Sequence, residues 1–164
     1  MSGPLDGYKI LELTSTVSGP LAGMMLADQG AEVIKVEPVS TSEKFEIMEE
    51  KFVSRQDLEF SVWNRGKKSF ALPYPGIRYA NQADNTEFQS NLLKLISISE
   101  IFIENVDIKF GDAIEISYEM AKTVNPEIIY IKFTSFPENH PYEHLPSKEA
   151  VSYTHLTLPT ILLV

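Results

Sequence analysis

The sequence predicts an α/β fold: a mostly parallel sheet with helices on both faces. Two observations carry that expectation. A strand, a helix and a second strand follow one another within residues 8–37. The same alternation then continues to Phe133, and strands alternating with helices build a doubly wound, Rossmann-like sheet.

The elements are read in order. Tyr8-Lys9-Ile10-Leu11-Glu12-Leu13 is apolar with polar interruptions and reads as a strand. Gly19-Pro20 follows, with Leu21, Met24 and Met25 at helical spacing. Pro20 suits a first helical turn and Gly30 the position just past the helix end. Ala31 to Glu37 reads as the second strand, which completes a βαβ unit with parallel pairing and a right-handed crossover. Residues 38–61 are polar and irregular, with a short helix expected around Phe45 to Phe52. Ser69 to Leu72 is a short strand, and Pro73 to Asp84 reads as loop because it carries Pro73, Pro75, Gly76 and Asn81. Thr86 to Ile96 places Phe88, Leu92, Leu95 and Ile96 on one helical face. Glu100 to Glu104 is a strand and Tyr118 to Val124 a short helix. Asn125-Pro126 stops that helix, since the residue before a proline avoids the helical region. Ile128 to Phe133 is the last strand.

Composition bounds the function classes. At 164 residues, with 43% hydrophobic and 23% charged residues, the chain suits one soluble globular domain. Its net charge of −9 repels nucleic acid and anionic membrane, and no apolar run approaches a membrane span. Neither class of partner is expected. The chain has no cysteine, which removes disulfides and thiolate chemistry and fits a cytoplasmic or other intracellular setting. The histidines have no ligand spacing, so no metal site is expected. The start lacks the basic and apolar regions of a signal peptide.

Ligands of doubly wound sheets sit beyond the C-terminal ends of the strands. That directs attention to the loops after Leu13, Glu37, Leu72, Glu104 and Phe133. The first of these, Thr14 to Pro20, lacks the G-x-G-x-x-G fingerprint, so nicotinamide and flavin binding have little support. Its hydroxyls either cap the helix or meet a ligand. Arg65, Lys67 and Lys68 form a short basic cluster on an acidic chain. It reads either as a solvated turn or as a phosphate contact.

Several stretches resemble CoA-transferase family III, which holds formyl-CoA transferase, carnitine CoA-transferase and α-methylacyl-CoA racemase. They are Pro4 to Leu13, Ser18-Gly19-Pro20 through Leu26 to Pro38, Asn64 to Ser69, Ile103-Glu104-Asn105, Tyr118-Glu119 and Asn125 to Tyr130, in the family's order. The resemblance implies coenzyme A as cofactor or acyl-CoA substrate. The residues it implies as contacts are Val17 and Ser18, Lys68, Leu72 and Pro73, and Asn105, Val106 and Asp107. Core packing is the competing reading for Leu72 and Val106. Glu149 matches an acid that positions substrate in the transferases, with a surface glutamate as the alternative.

The resemblance further implies transfer of coenzyme A between an acyl-CoA and a carboxylic acid through an aspartyl-bound intermediate. The family's aspartate lies beyond the matched residues, so no catalytic residue is assigned. Residues 1–150 are expected to be the N-terminal part of the family's large domain, inactive alone, within a protein that forms a homodimer. Val151 to Thr160 resembles a translated sequencing-library adaptor, so residues 151–164 are expected to be a non-native read-through tail.

A second reading is a non-catalytic CoA-binding or dimerisation domain of a tandem transferase. Departures from the family pattern favour it: Val106-Asp107-Ile108-Lys109, Ala113 in place of a base, and Ser135-Phe136-Pro137 in place of Gly-Phe-Gly. An acyl-CoA racemase is the weaker alternative, because Lys148 stands where the racemase branch has its proton-transferring histidine.

Overall fold

The computed structural model describes residues 3–14, 17–40, 61–74, 82–105, 116–134 and 141. They contain five strands, β1 (Lys9–Thr14), β2 (Glu32–Ser40), β3 (Lys68–Tyr74), β4 (Ile101–Asn105) and β5 (Ile129–Lys132). The helices between them are α1 (Ser18–Asp28), α2 (Gln82–Ile96) and α3 (Tyr118–Val124). The sheet order is β3-β2-β1-β4-β5, and every pairing is parallel. The expected α/β class and parallel sheet are observed.

Central strands of a parallel sheet are covered on both faces, so side chains of both parities must find a core. They do. Ile10, Val33 and Ile103 form one cluster with Ala31, against which Leu26 and Ala27 of α1 pack. Leu11, Leu13, Val36, Leu72 and Phe102 point the other way. They meet Phe88, Leu92 and Ile96 of α2 and Ala121 of α3. The helical face read from Phe88, Leu92 and Ile96 is therefore the buried face of α2, at 1%, 0% and 0% exposure.

Helix ends follow local chemistry. Gly30 has φ 101°, a backbone angle that strains any side chain, and it ends α1 as expected. The amide of Gly30 donates to Ala27 O. The Ser117 hydroxyl caps α3 by accepting from Met120 N. Asn125, read from sequence only as a helix stop, also donates through Nδ2 to Ile96 O at 3.3 Å and Ser99 O at 2.7 Å. It thereby ties the end of α3 to the end of α2.

Several boundaries differ from expectation; α2, expected from Thr86, already begins at Gln82, inside the stretch expected as loop. β3 runs on through Pro73 to Tyr74, where a loop was expected, and β2 runs through Pro38 to Ser40. These extensions pair only with each other, Pro38 with Leu72 and Val39 with Pro73. β1 pairs with β2 only as far as Glu12–Lys35, so the prolines interrupt no ladder on that side. Ser61, the last residue expected to be irregular, begins a helical turn through Trp63. The helix expected at Phe45 to Phe52 lies outside the described residues.

Candidate functional site

Strand order reverses between β1 and β4, because β2 and β3 lie to one side and β4 and β5 to the other. Such a switch point opens a crevice above the strand ends, the usual ligand position in this architecture. Its floor is the register pair Thr14–Asn105. The first turn of α1 stands directly on that pair. A Cβ on Gly19 would lie 2.4 Å from Thr14 Cγ2 and 3.1 Å from Asn105 Cβ. Only glycine permits so close an approach of helix to strand ends.

Side-chain alternation puts Ile10, Glu12 and Thr14 of β1 on the face covered by α1. Val33 and Lys35 of β2, and Ile103 and Asn105 of β4, share that face. The foot of the face is apolar and the top is polar. Glu12 is fully buried at 0% exposure, with Lys35 at 6%. Lys35 Nζ donates to Glu12 Oε1 at 3.0 Å, and to Thr14 O and Thr14 Oγ1 at 3.2 Å each. Thr14 Oγ1 donates to the same Glu12 oxygen at 2.6 Å. The second Glu12 oxygen lies 2.7 Å from Lys67 Nζ, a charge contact without hydrogen-bond direction. Lys67, its side chain only 2% exposed, donates to Pro20 O at 2.8 Å and Asn64 Oδ1 at 3.0 Å. Burial lowers the pKa of Lys67, opposed by its contact with Glu12, and the Lys35 charge lowers it further. One buried carboxylate thus lies between the side chains of two lysines.

The expected contact residues separate into groups. Val17 and Ser18 open α1 at the crevice, and Val17 is exposed. Asn105 closes the floor on the β4 side, buried, with Nδ2 donating to Phe133 O at 3.2 Å. These three converge. Leu72 and Pro73 reach the same rim two strands away, but the Leu72 side chain is 3% exposed and packs in the α2 core. Lys68 does not join them. It begins β3, four residues before Leu72 and so about 13 Å lower along the strand. Its ammonium pairs with Glu32 at 2.8 Å, with both side chains exposed. Arg65 likewise pairs with Asp28 at 2.6 Å. The basic cluster of the sequence thus dissolves into three separate ion pairs. Val106, Asp107 and Glu149 lie outside the described residues, as does the tail 151–164.

At the other side of the rim, Glu104 is 4% exposed and takes a hydrogen bond from Tyr130, whose hydroxyl also lies 2.8 Å from Ile116 O. The Tyr130 ring meets Phe102 edge-on at 5.4 Å. Among the described residues no group of three His, Asp or Glu side chains is placed to hold a metal ion.

Sequence reasoning missed Glu12, Lys35 and Gly23. A charge in the middle of a strand buried on both faces was the available signal, because such a charge requires a partner. What the sequence did not disclose was which cation that partner would be.

The strand order, the switch-point crevice and the helix pressed onto it define a doubly wound, Rossmann-like α/β domain. The family model described as CoA-transferase family III matches residues 5–161, and the chain belongs to that family. It is 29% identical over 149 residues to acetyl-CoA:oxalate CoA-transferase of Acetobacter aceti, covering 91% of this chain and 36% of that protein. It is 31% identical over 152 residues to succinyl-CoA:glutarate CoA-transferase of Mus musculus, covering 91% and 32%. The crystal structure of Rv3272 from M. tuberculosis superposes with a TM-score of 0.68 at 30% identity, over 93% of this chain and 38% of that one. A CAIB/BAIF family protein from Brucella suis gives 0.70 at 27% identity, over 96% and 40%. The chain therefore spans about a third of the length of the curated relatives it matches.

Proposed function

We propose that this chain is the coenzyme A-binding N-terminal part of an enzyme that moves coenzyme A between an acyl-CoA and a carboxylic acid. The observation that carries the reading is the convergence of Val17, Ser18 and Asn105 on the switch-point crevice, in a chain whose family relatives are named for that transfer. Resemblance and topology select the same rim by independent routes.

The crevice suits a thioester substrate. Its rim offers the start of α1, where Val17 makes no side-chain cap. The 106–107 loop, Pro73 and Glu149 complete the proposed contacts. Lys68 reaches a phosphate only by leaving Glu32, and an exposed pair of this kind holds weakly.

The chemistry we assign to the whole protein is carboxylate nucleophilic catalysis. An aspartate outside residues 1–150 attacks the acyl-CoA carbonyl, forming a mixed anhydride and releasing the CoA thiolate. The thiolate attacks the aspartyl carbonyl, giving an aspartyl-CoA thioester and freeing the donor acid. The acceptor carboxylate then attacks this thioester, forming its own mixed anhydride and again releasing the thiolate. Attack of that thiolate on the acceptor's carbonyl yields the new acyl-CoA and restores the aspartate. On this reading residues 1–150 alone are inactive and the full-length protein is a homodimer in an intracellular compartment.

The test is to mix the full-length protein with an acyl-CoA and an unlabelled acid and follow thioester exchange by mass spectrometry. Exchange with a trapped aspartyl adduct is the expected result. CoA binding without exchange or adduct supports a non-catalytic partner domain of a tandem transferase. Loss of α-stereochemistry without any acceptor supports a racemase. Failure to bind CoA or its thioesters overturns the reading.

A further inference from the structure

We propose that Lys67 is a positioning residue for the crevice: it fixes the height of the first turn of α1 above the Thr14–Asn105 floor, and with it the Val17–Ser18 wall that receives the CoA thioester. The ligand half of this statement rests on the function proposed above; the geometric half does not.

Val17, the N-cap of α1, makes no side-chain capping bond, and Pro20 has no amide to contribute. Beside its own Leu21 N to Val17 O bond at 2.9 Å, the turn is tied to the sheet and to the turn before β3 by two further contacts among others. Gly19 rests on Thr14 and Asn105 from above. Lys67 takes the Pro20 carbonyl at 2.8 Å while standing 2.7 Å from Glu12 of β1 and donating to Asn64 at 3.0 Å. One ammonium therefore joins α1, the central strand and the turn before β3. One turn further along, Gly23 leaves room for this junction. A Cβ there would come 2.0 Å from Glu12 Oε2 and 3.1 Å from Lys67 Nζ.

Lys67 is a second counter-ion of buried Glu12 and so contributes stability, but it also sets position. Glu12 already has Lys35 as a buried counter-ion at 3.0 Å. A methionine at residue 67 would fill similar space and leave Glu12 its Lys35 counter-ion, but the 2.7 Å contact to the second Glu12 oxygen would be lost, so Lys67→Met is expected to cost stability as well as position. What methionine cannot do is hold the Pro20 carbonyl and Glu12 at fixed distances. Beyond its charge, Lys67 thus contributes orientation, and orientation is what a substrate wall requires.

The experiment uses the full-length protein with two variants, Lys67→Met and Gly23→Ala. The second keeps every charge and lifts α1 by steric contact. Two readouts are taken: the dissociation constant for CoA by calorimetry, and amide hydrogen exchange at Leu21, whose N–H donates to Val17 O at 2.9 Å, against Phe102 and Ile103 of β4. Each variant is expected to exchange at least roughly tenfold faster in the α1 turn, with β4 unchanged, and to bind CoA roughly tenfold more weakly, the scale on which small misplacements act. Unchanged exchange in a folded Lys67→Met or Gly23→Ala protein overturns the positioning role. So does faster exchange spread equally over β4, which marks general loosening. If wild type ignores CoA, the proposed function falls while the exchange result still decides the geometry. If neither variant folds by circular dichroism, the junction is a folding determinant and the positioning role is overturned.

Discussion

The two faces of the sheet are built on different principles. The face under α2 and α3 is apolar along most of its central strands, where Leu11, Leu13, Val36 and Phe102 meet Phe88, Leu92 and Ile96, and its buried carboxylate is Glu104 at the rim, bonded by Tyr130. The face under α1 is apolar only at its foot, and its upper half holds Glu12, Lys35, Thr14 and Asn105. Apolar contacts are non-directional and add up with area, so the first face is held by volume. Ion pairs and hydrogen bonds fix distances and angles, so the second is held by geometry. The Thr14–Asn105 floor lies on the second face, where the buried polar groups of the central strands are most concentrated.

The comparison is broken most severely by a same-size change on the α1 face. Glu12→Gln leaves the Lys35 and Lys67 ammonium groups buried together with no counter-charge. The expected loss is about 3–5 kcal/mol in urea unfolding, and a loss below roughly 1 kcal/mol shows that the cluster does not depend on charge. Gly19→Ala comes next. Its methyl would sit 2.4 Å from Thr14 Cγ2, and overpacking of this kind costs about 1–3 kcal/mol. Weaker CoA binding should accompany it, read in the same calorimetric titration. Leu92→Met, a same-size change on the other face, should cost under about 1.5 kcal/mol in urea, since apolar packing accepts an isosteric swap. A cost equal to that of Glu12→Gln would erase the distinction between the faces.

The smallest effect is expected at the exposed foot, with Lys68→Ala. The hydrogen bond and charge of Lys68 hold the Glu32 carboxyl below its ordinary pKa. A depressed carboxylate contributes stability above its unfolded pKa and loses it as pH falls through the folded one. Thermal unfolding of wild type should therefore sit slightly above that of Lys68→Ala at neutral pH, and the two should converge on acidification. Divergence at acid pH would reverse the assignment.

Much of the fold was legible residue by residue. The spacing of Phe88, Leu92 and Ile96 gave the buried face of α2, and Gly30 gave the end of α1. The alternation that named the sheet also named its rim, and Val17, Ser18 and Asn105 meet there. Lys68 shows the limit. A run of adjacent basic residues looks like one patch, but neighbours on a turn and strand point to different places. Arg65, Lys67 and Lys68 reach Asp28, Glu12 and Glu32 respectively. Leu72 shows the same limit from the other side, since its position at a strand end is sequential while its side chain belongs to the core.

By itself the sequence determined the period of each segment, the caps and breakers between segments, and the parallel sense of the first crossover. Those follow from forces acting within a few residues: backbone sterics, local hydrogen bonds and the alternation of apolar groups. Tertiary structure alone decided that β4 would lie against β1, that Gly19 would rest on Thr14 and Asn105, and that a glutamate at residue 12 would share its carboxylate between lysines 23 and 55 residues away. Charge partners are chosen by distance in space, and distance in space is set only when the sheet has closed.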